Sequence, residues 1–141
     1  MKIKEISLEE ILQINKQIPE FKKDTIEDFQ ERLKGKKSYL FGCYLDGKEA
    51  GYLVGYKLNK NEFYIWMAGT IPRYRKKGVM KALMNKTEKL AKKEGYKKIK
   101  LKTRNTRRAQ LINLVKRNYM FTSVEPFPKT EENRVYLEKE L

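Results

Sequence analysis

Residues 69–80 read Gly69-Thr70-Ile71-Pro72-Arg73-Tyr74-Arg75-Lys76-Lys77-Gly78-Val79-Met80, and across them the period of the chain changes. Before this stretch apolar residues alternate, as in a strand; after it they recur every three to four residues, as in a helix. The segment therefore joins a strand end to a helix start through a tight basic turn. A helix start leaves about four backbone N–H groups unpaired and carries roughly half a positive charge, so the geometry accepts a phosphate or pyrophosphate. Gly78 lets the backbone approach such a ligand, and Arg75, Lys76, Lys77 and Lys81 add cationic charge. On spacing alone, the same residues equally fit a plain surface turn before a basic helix.

Upstream, Lys2 to Ile6 alternates as a short strand, and Ser7 with Glu10 forms a capping box that opens a helix through Leu8, Ile11, Leu12 and Asn15. Pro19 ends it. Asp24 is placed to cap a second helix carrying Ile26, Phe29 and Leu33, with Gly35 as its C-terminal stop. Ser38 to Leu45 and Glu49 to Leu58 are rich in aromatic and β-branched residues and meet at Asp46-Gly47, a hairpin signal. A turn at Asn59 to Asn61 leads to a third strand, Glu62 to Thr70. Downstream, Val79, Leu83, Thr87, Leu90 and Ala91 form one helical stripe closed by Gly95. Ile99, Leu101 and Thr103 alternate as a strand, and Asn105 or Thr106 then caps a helix with Ala109, Leu111, Ile112, Leu114 and Val115. Strands near Tyr119 to Val124 and Arg134 to Glu138 finish the chain. The order βααβββαβαββ predicts an α/β (α+β) domain spanning residues 1–141, a mixed and mostly antiparallel sheet of about seven strands with four helices on both faces.

Composition removes several chemistries. The 141 residues include one cysteine, Cys43, and no histidine, so Cys/His zinc sites, catalytic triads and disulfide frameworks lack their parts and no metal is expected. Met1 to Leu12 lacks the apolar core of a signal peptide, and no stretch approaches the ~20 apolar residues of a membrane span, so a soluble cytoplasmic protein is expected. The net charge of +15 is uneven. Residues 1–72 carry 12 Lys/Arg and 11 Asp/Glu, residues 73–108 carry 16 against Glu88 and Glu94, and residues 109–141 carry five of each, which gives +1, +14 and 0. The middle block reads either as a solvated helix face or as a site for a polyanion.

The quoted stretch resembles the acetyl-CoA-binding motif of the GNAT superfamily, Val-x-Pro-x-x-(Arg/Gln)-x-x-Gly-x-(Gly/Ala), and the element order is similar to that family's. Arg75 and Gly78 fall on the motif's Arg/Gln and first Gly, while Thr70 replaces the Val and Met80 the small last residue. The resemblance implies that Thr70, Ile71, Arg75, Lys76, Lys77, Gly78, Val79, Met80 and Lys81 line a coenzyme A phosphate site. It also implies that Asn105, in Lys102-Thr103-Arg104-Asn105, faces the pantetheine arm. Lys116-Arg117-Asn118-Tyr119 stands where relatives carry Lys-x-Gly-Phe, with Asn118 suited to the left-handed cap and Tyr119 to a core aromatic.

The implied activity is transfer of acetyl from acetyl-CoA to a primary amine. That needs a neutral nucleophile, a donor for the developing oxyanion and a proton for the leaving thiolate. The resemblance places the oxyanion donor among the amides of Ala68 to Ile71, with Gly69 the residue that permits a bulge. It puts the base position on Tyr64, with Glu62 two residues earlier on the same face, so Glu62 and Tyr64 are the candidate catalytic residues; Glu62 fits a solvated strand end better still. The general-acid tyrosine of relatives falls on Leu114. Trp66 and Glu20 are candidate acceptor contacts, or a core residue and a solvated loop residue. A basic nucleic-acid-binding module and a non-catalytic acyl-CoA binder are the competing readings, and the assembly is a monomer or homodimer.

Overall fold

The computed structural model describes all 141 residues. Its elements are β1 (Lys2–Glu5), α1 (Leu8–Asn15), α2 (Ile26–Leu33), β2 (Ser38–Leu45), β3 (Lys48–Lys57), β4 (Glu62–Thr70), α3 (Val79–Lys93), β5 (Lys98–Arg104), α4 (Arg108–Lys116), β6 (Met120–Glu125) and β7 (Arg134–Glu140), with single 3-10 turns at Pro19–Phe21, Pro72–Tyr74 and Thr130–Glu132. The strands form one sheet in the order β1-β2-β3-β4-β5-β7-β6. Every neighbouring pair is antiparallel except β4 with β5. This is the α+β arrangement that the element order predicts.

Local chemistry accounts for most boundaries. Ser7 and Glu10 close the expected capping box on α1, and Asp46 and Gly47 both take positive φ, 50° and 77°, to turn the β2–β3 hairpin. Two caps differ from expectation. Thr25, not Asp24, starts α2: its hydroxyl accepts from the Asp28 N–H while the Asp28 carboxylate accepts from the Thr25 N–H. Asp24 instead accepts from the Asn15 side-chain amide at 3.1 Å. Helix α4 is entered through Arg107 with no side-chain cap, because Asn105 spends its amide on the Thr130 carbonyl and its carbonyl on Arg108.

The two faces of the sheet bury separate cores. On one, α3 and α4 cover Phe41, Leu53, Phe63, Ile65, Ile99, Leu101 and Leu137; on the other, α1 and α2 cover Tyr52, Val54 and Ile71. Met80 packs partly buried against the first core, so its bulk points away from the turn that precedes α3. Asn118 takes φ 69° after α4 and Tyr119 is buried at 3% exposure, as the Lys-Arg-Asn-Tyr stretch predicts. The Tyr119 hydroxyl donates to Glu88, which also receives Arg117 and Lys139.

Strand β4 is where the sheet divides. Its parallel pairing with β5 runs from Glu62 opposite Lys98 to Ile65 opposite Leu101 and then stops, while β4 continues to Thr70 and β5 turns fully onto β7. At the parting point β4 carries a bulge against β3: Ile65 pairs with Gly55 and Met67 with Val54, leaving Trp66 as the extra residue. A bulge bends and overtwists its strand, and here it turns the upper half of β4 away from β5. The bulge sits at Trp66 rather than at Gly69, which pairs in register with Tyr52. Gly69 is glycine for another reason, since a Cβ there would stand 2.6 Å from Ile18 and 2.9 Å from Phe21.

Candidate active site

The cleft left between β4 and β5 opens toward the turn at residues 72–78. Lys76 and Gly78 hold positive φ, 63° and 83°, on either side of Lys77, the kind of alternating backbone that gathers N–H groups into an anion-binding nest. The N–H groups of Lys76, Lys77, Gly78, Val79, Met80 and Lys81 find no acceptor in the chain, whereas those of Tyr74 and Arg75 close the preceding 3-10 turn and that of Ala82 begins the helix. These free donors crown the positive end of a 15-residue helix. A Cβ built on Gly78 meets only Met1, at 3.9 Å, so the approach is open. Backbone donors, a helix start and four adjacent cations fit a pyrophosphate in size and charge.

The turn is fixed from below by close packing. Ile71 donates to the Ala50 carbonyl at 2.8 Å and is buried, and Val79 is buried against Gly51. A Cβ on Gly51 would stand 2.7 Å from both the Gly69 carbonyl and the Val79 side chain. Glycine there lets β3, the end of β4 and the start of α3 meet.

Two residues expected to serve different ligands are bonded to each other. Arg75 Nη2 lies 3.2 Å from the carboxylate of Glu20 on the loop between α1 and α2, so Glu20 neutralises a cation of the turn before α3. Asn105 lies at the end of β5 but is tied to Thr130 and Arg108. Leu114, where relatives are expected to carry a tyrosine, is buried in the α3–α4 core.

The candidate base residues sit low on the same strand. Glu62 begins β4 at the closed end of the cleft, paired with Lys100 at 2.8 Å and receiving the Asn59 amide. The bonds from Lys100 and Asn59 hold its carboxyl below the ordinary range. Six residues of strand, about 20 Å, separate it from Ala68, farther than a carboxylate and one water reach. Tyr64 lies two residues nearer, its ring 5.3 Å from that of Tyr56. Burial pushes its hydroxyl up to about 12, the neighbouring Arg32 offsetting part of the shift, so it is a neutral phenol at physiological pH. Trp66 follows on the same face, edge-on to Phe29 at 4.9 Å, with the Arg32 guanidinium 5.2 Å from its centroid. Arg32 carries no signal in sequence because its role depends on α2 packing over β3 and β4.

An apolar groove of about 350 Å³ lies between α4 and strands β6 and β7, lined in part by Asn105, Leu111, Ile112, Val115 and Phe121. No helix is long and apolar enough to cross a membrane.

Comparison with known proteins gives a consistent result. The family model described as "Acetyltransferase (GNAT) family" matches residues 6–119. Among solved structures, the chain is similar to Ard1 from Thermoplasma volcanium, with 19% identity and a TM-score of 0.82 over 99% of this chain and 97% of that one. It is similar to the ribosomal-protein-S18-alanine N-acetyltransferase from Escherichia coli, with 16% identity and a TM-score of 0.84 over 99% and 92%. A GNAT family acetyltransferase from Elizabethkingia anophelis with acetyl-CoA bound shows 16% identity and a TM-score of 0.78 over 99% and 97%. At these identities the likeness is one of fold. No curated protein sequence matches.

Proposed function

The chain belongs to the GNAT acetyltransferase family, a family of acetyl-CoA-dependent N-acetyltransferases, and we propose that its residues 1–141 act as one domain that acetylates a primary amine by direct attack in a ternary complex. The observation that carries this reading is the run of free amides from Lys76 to Lys81 at the mouth of the β4–β5 split. When bound, acetyl-CoA supplies an activated thioester.

The chain's own groups account for the rest. The amides of residues 76–81, with Arg75, Lys76, Lys77 and Lys81, hold the phosphates. The upper half of β4, unpaired with β5, directs a backbone N–H from Ala68 to Thr70 toward the negative charge that develops on the acyl oxygen; that of Ile71 is held by the Ala50 carbonyl. Tyr64, whose hydroxyl has no protein partner, orients the acceptor amine. Water takes the amine's proton, since the ionised Glu62 is committed to Lys100 and lies too far away; water also protonates the leaving sulfur, because Leu114 supplies no hydroxyl. Asn105 closes the β5 side of the site.

Calorimetric titration with acetyl-CoA and CoA, at two salt concentrations, tests the reading. Micromolar binding that an Arg75→Ala, Gly78→Asp double variant loses supports it. Failure of the native chain to bind would sink it, and salt-sensitive binding of nucleic acid would then explain the basic block.

A further inference from the structure

Arg32 is a cation without an acid. It sits in the last turn of α2, half-buried and without an ion pair; of the other half-buried cations, Lys98, Lys100, Arg117 and Lys139 each have one and Arg134 donates to the Glu132 carbonyl. Its guanidinium is clamped between aromatic groups of the sheet, 5.2 Å from the Trp66 centroid and 6.0 Å from that of Tyr56. Nε donates to the Tyr56 hydroxyl at 3.4 Å. A guanidinium offers five N–H donors in a rigid fork, and the chain uses only this one. The helix end favours a cation here, but it does not require one placed over Trp66, the residue at which β4 parts from β5.

The position bears on the acceptor. Trp66 is the bulge residue at which β4 leaves β5, and Tyr64, with its free hydroxyl, adjoins it on the same face. From the level of Trp66 to that of Ala68, where the amine must attack, is two strand residues, about 7 Å. We propose that Arg32 is a specificity residue that binds a carboxylate on the acceptor, so that the substrate is an amine carrying a carboxylate at the far end of a chain of about five carbons. Two parallel N–H···O bonds from a preorganised guanidinium recognise a carboxylate and not the bare amine. The proposal rests on the acetyltransferase reading above and concerns the acceptor half of that site.

The test compares 6-aminohexanoate with pentylamine, its decarboxylated counterpart, as acceptors with acetyl-CoA, and includes glycine as an acid too short to span the gap. The expected result is a KM at least about tenfold lower for 6-aminohexanoate than for the other two, a preference that Arg32→Gln removes and Arg32→Lys restores only in part. Equal KM values, or an Arg32→Gln variant that preserves the ratio, would overturn the proposal while leaving acetyl transfer to pentylamine intact. Trp66 is the one tryptophan in the chain, so its fluorescence reports occupancy without turnover. With CoA present, 6-aminohexanoate should give a saturable change that pentylamine and the Arg32→Gln variant do not. Its absence overturns the inference even if no acceptor is acetylated, whereas failure to bind acetyl-CoA overturns the enzyme reading itself.

Discussion

Removing an acid from the loop between α1 and α2 should tighten cofactor binding. In the free protein the Glu20 carboxylate holds Arg75 at 3.2 Å, with the two side chains 46% and 48% exposed. A phosphate at the turn must take Arg75 from Glu20 and accept a second anion nearby. At such exposure an ion pair is worth about 0.2–1 kcal/mol, and Glu20→Gln removes that competition while keeping the side-chain shape. The expected gain is about 1.4- to 5-fold in Kd for acetyl-CoA, largest at low salt and fading as added ions screen both charges. Calorimetry on the native chain, Glu20→Gln, Arg75→Ala and the double variant closes a thermodynamic cycle. In the Arg75→Ala background the Glu20 substitution should lose most of its effect. A Glu20→Gln protein that binds acetyl-CoA no better than the native chain would refute the reasoning, because Arg75 would then not be shared between carboxylate and phosphate.

Three further outcomes follow from the geometry. With no histidine in the chain, Glu62 held low by Lys100 and Asn59 and Tyr64 raised to about 12, kcat/KM should climb about tenfold per pH unit from pH 6 to 9 as the acceptor, of pKa near 10.4, loses its proton. Glu62→Gln should keep that slope within about twofold in rate; a neutral-pH bend that this variant abolishes would reassign Glu62 as the base. Burial opposes ionisation of Glu88, yet Arg117 and Lys139 bring its carboxyl below the ordinary value of 4.5, so the stability it contributes is present above that pH and lost as acid titrates the folded carboxyl. Glu88→Gln should therefore cost about 1.5–3 kcal/mol at pH 7, with the gap narrowing below pH 4.5 in denaturant titrations; a pH-independent gap would contradict this. Gly51→Ala forces a Cβ to within 2.7 Å of the Gly69 carbonyl and Val79, and should destabilise the fold by about 1–3 kcal/mol and weaken acetyl-CoA binding with it, read by thermal melts with and without ligand.

Legibility from sequence followed the range of the interaction. The capping box at Ser7, the Asp46-Gly47 turn and the 3.6-residue stripe of α3 are set by neighbours a few residues apart, and so the bounds of β2 and β4 coincide with expectation. The tight basic turn before α3 was readable for the same reason. The cap of α2 was misplaced by one residue because Asp24 and Thr25 are both good caps, and the choice turned on Asn15 engaging Asp24 across nine residues. Asn105 or Thr106 was expected to cap α4, but Asn105 is held by Thr130, 25 residues on, and the helix starts through Arg107 with no side-chain cap. The bulge was assigned to Gly69 because glycine relaxes backbone limits, but the register with β3 places it at Trp66, and Gly69 answers to Ile18 and Phe21 instead. The Glu20–Arg75 pair spans 55 residues, and Arg32 meets Trp66 only through the docking of α2; neither leaves a local trace.

The short parallel seam between β4 and β5 has a mechanical consequence. Four residues of each strand hold together two blocks of the sheet, one of β1 to β4 and one of β5, β7 and β6. A molecule wedged in the gap touches both blocks and works as a keystone, so part of its binding energy goes into fastening the halves of the protein to each other. Loosening the seam, as by trimming Ile99 or Leu101, should then cost affinity without removing a single ligand contact.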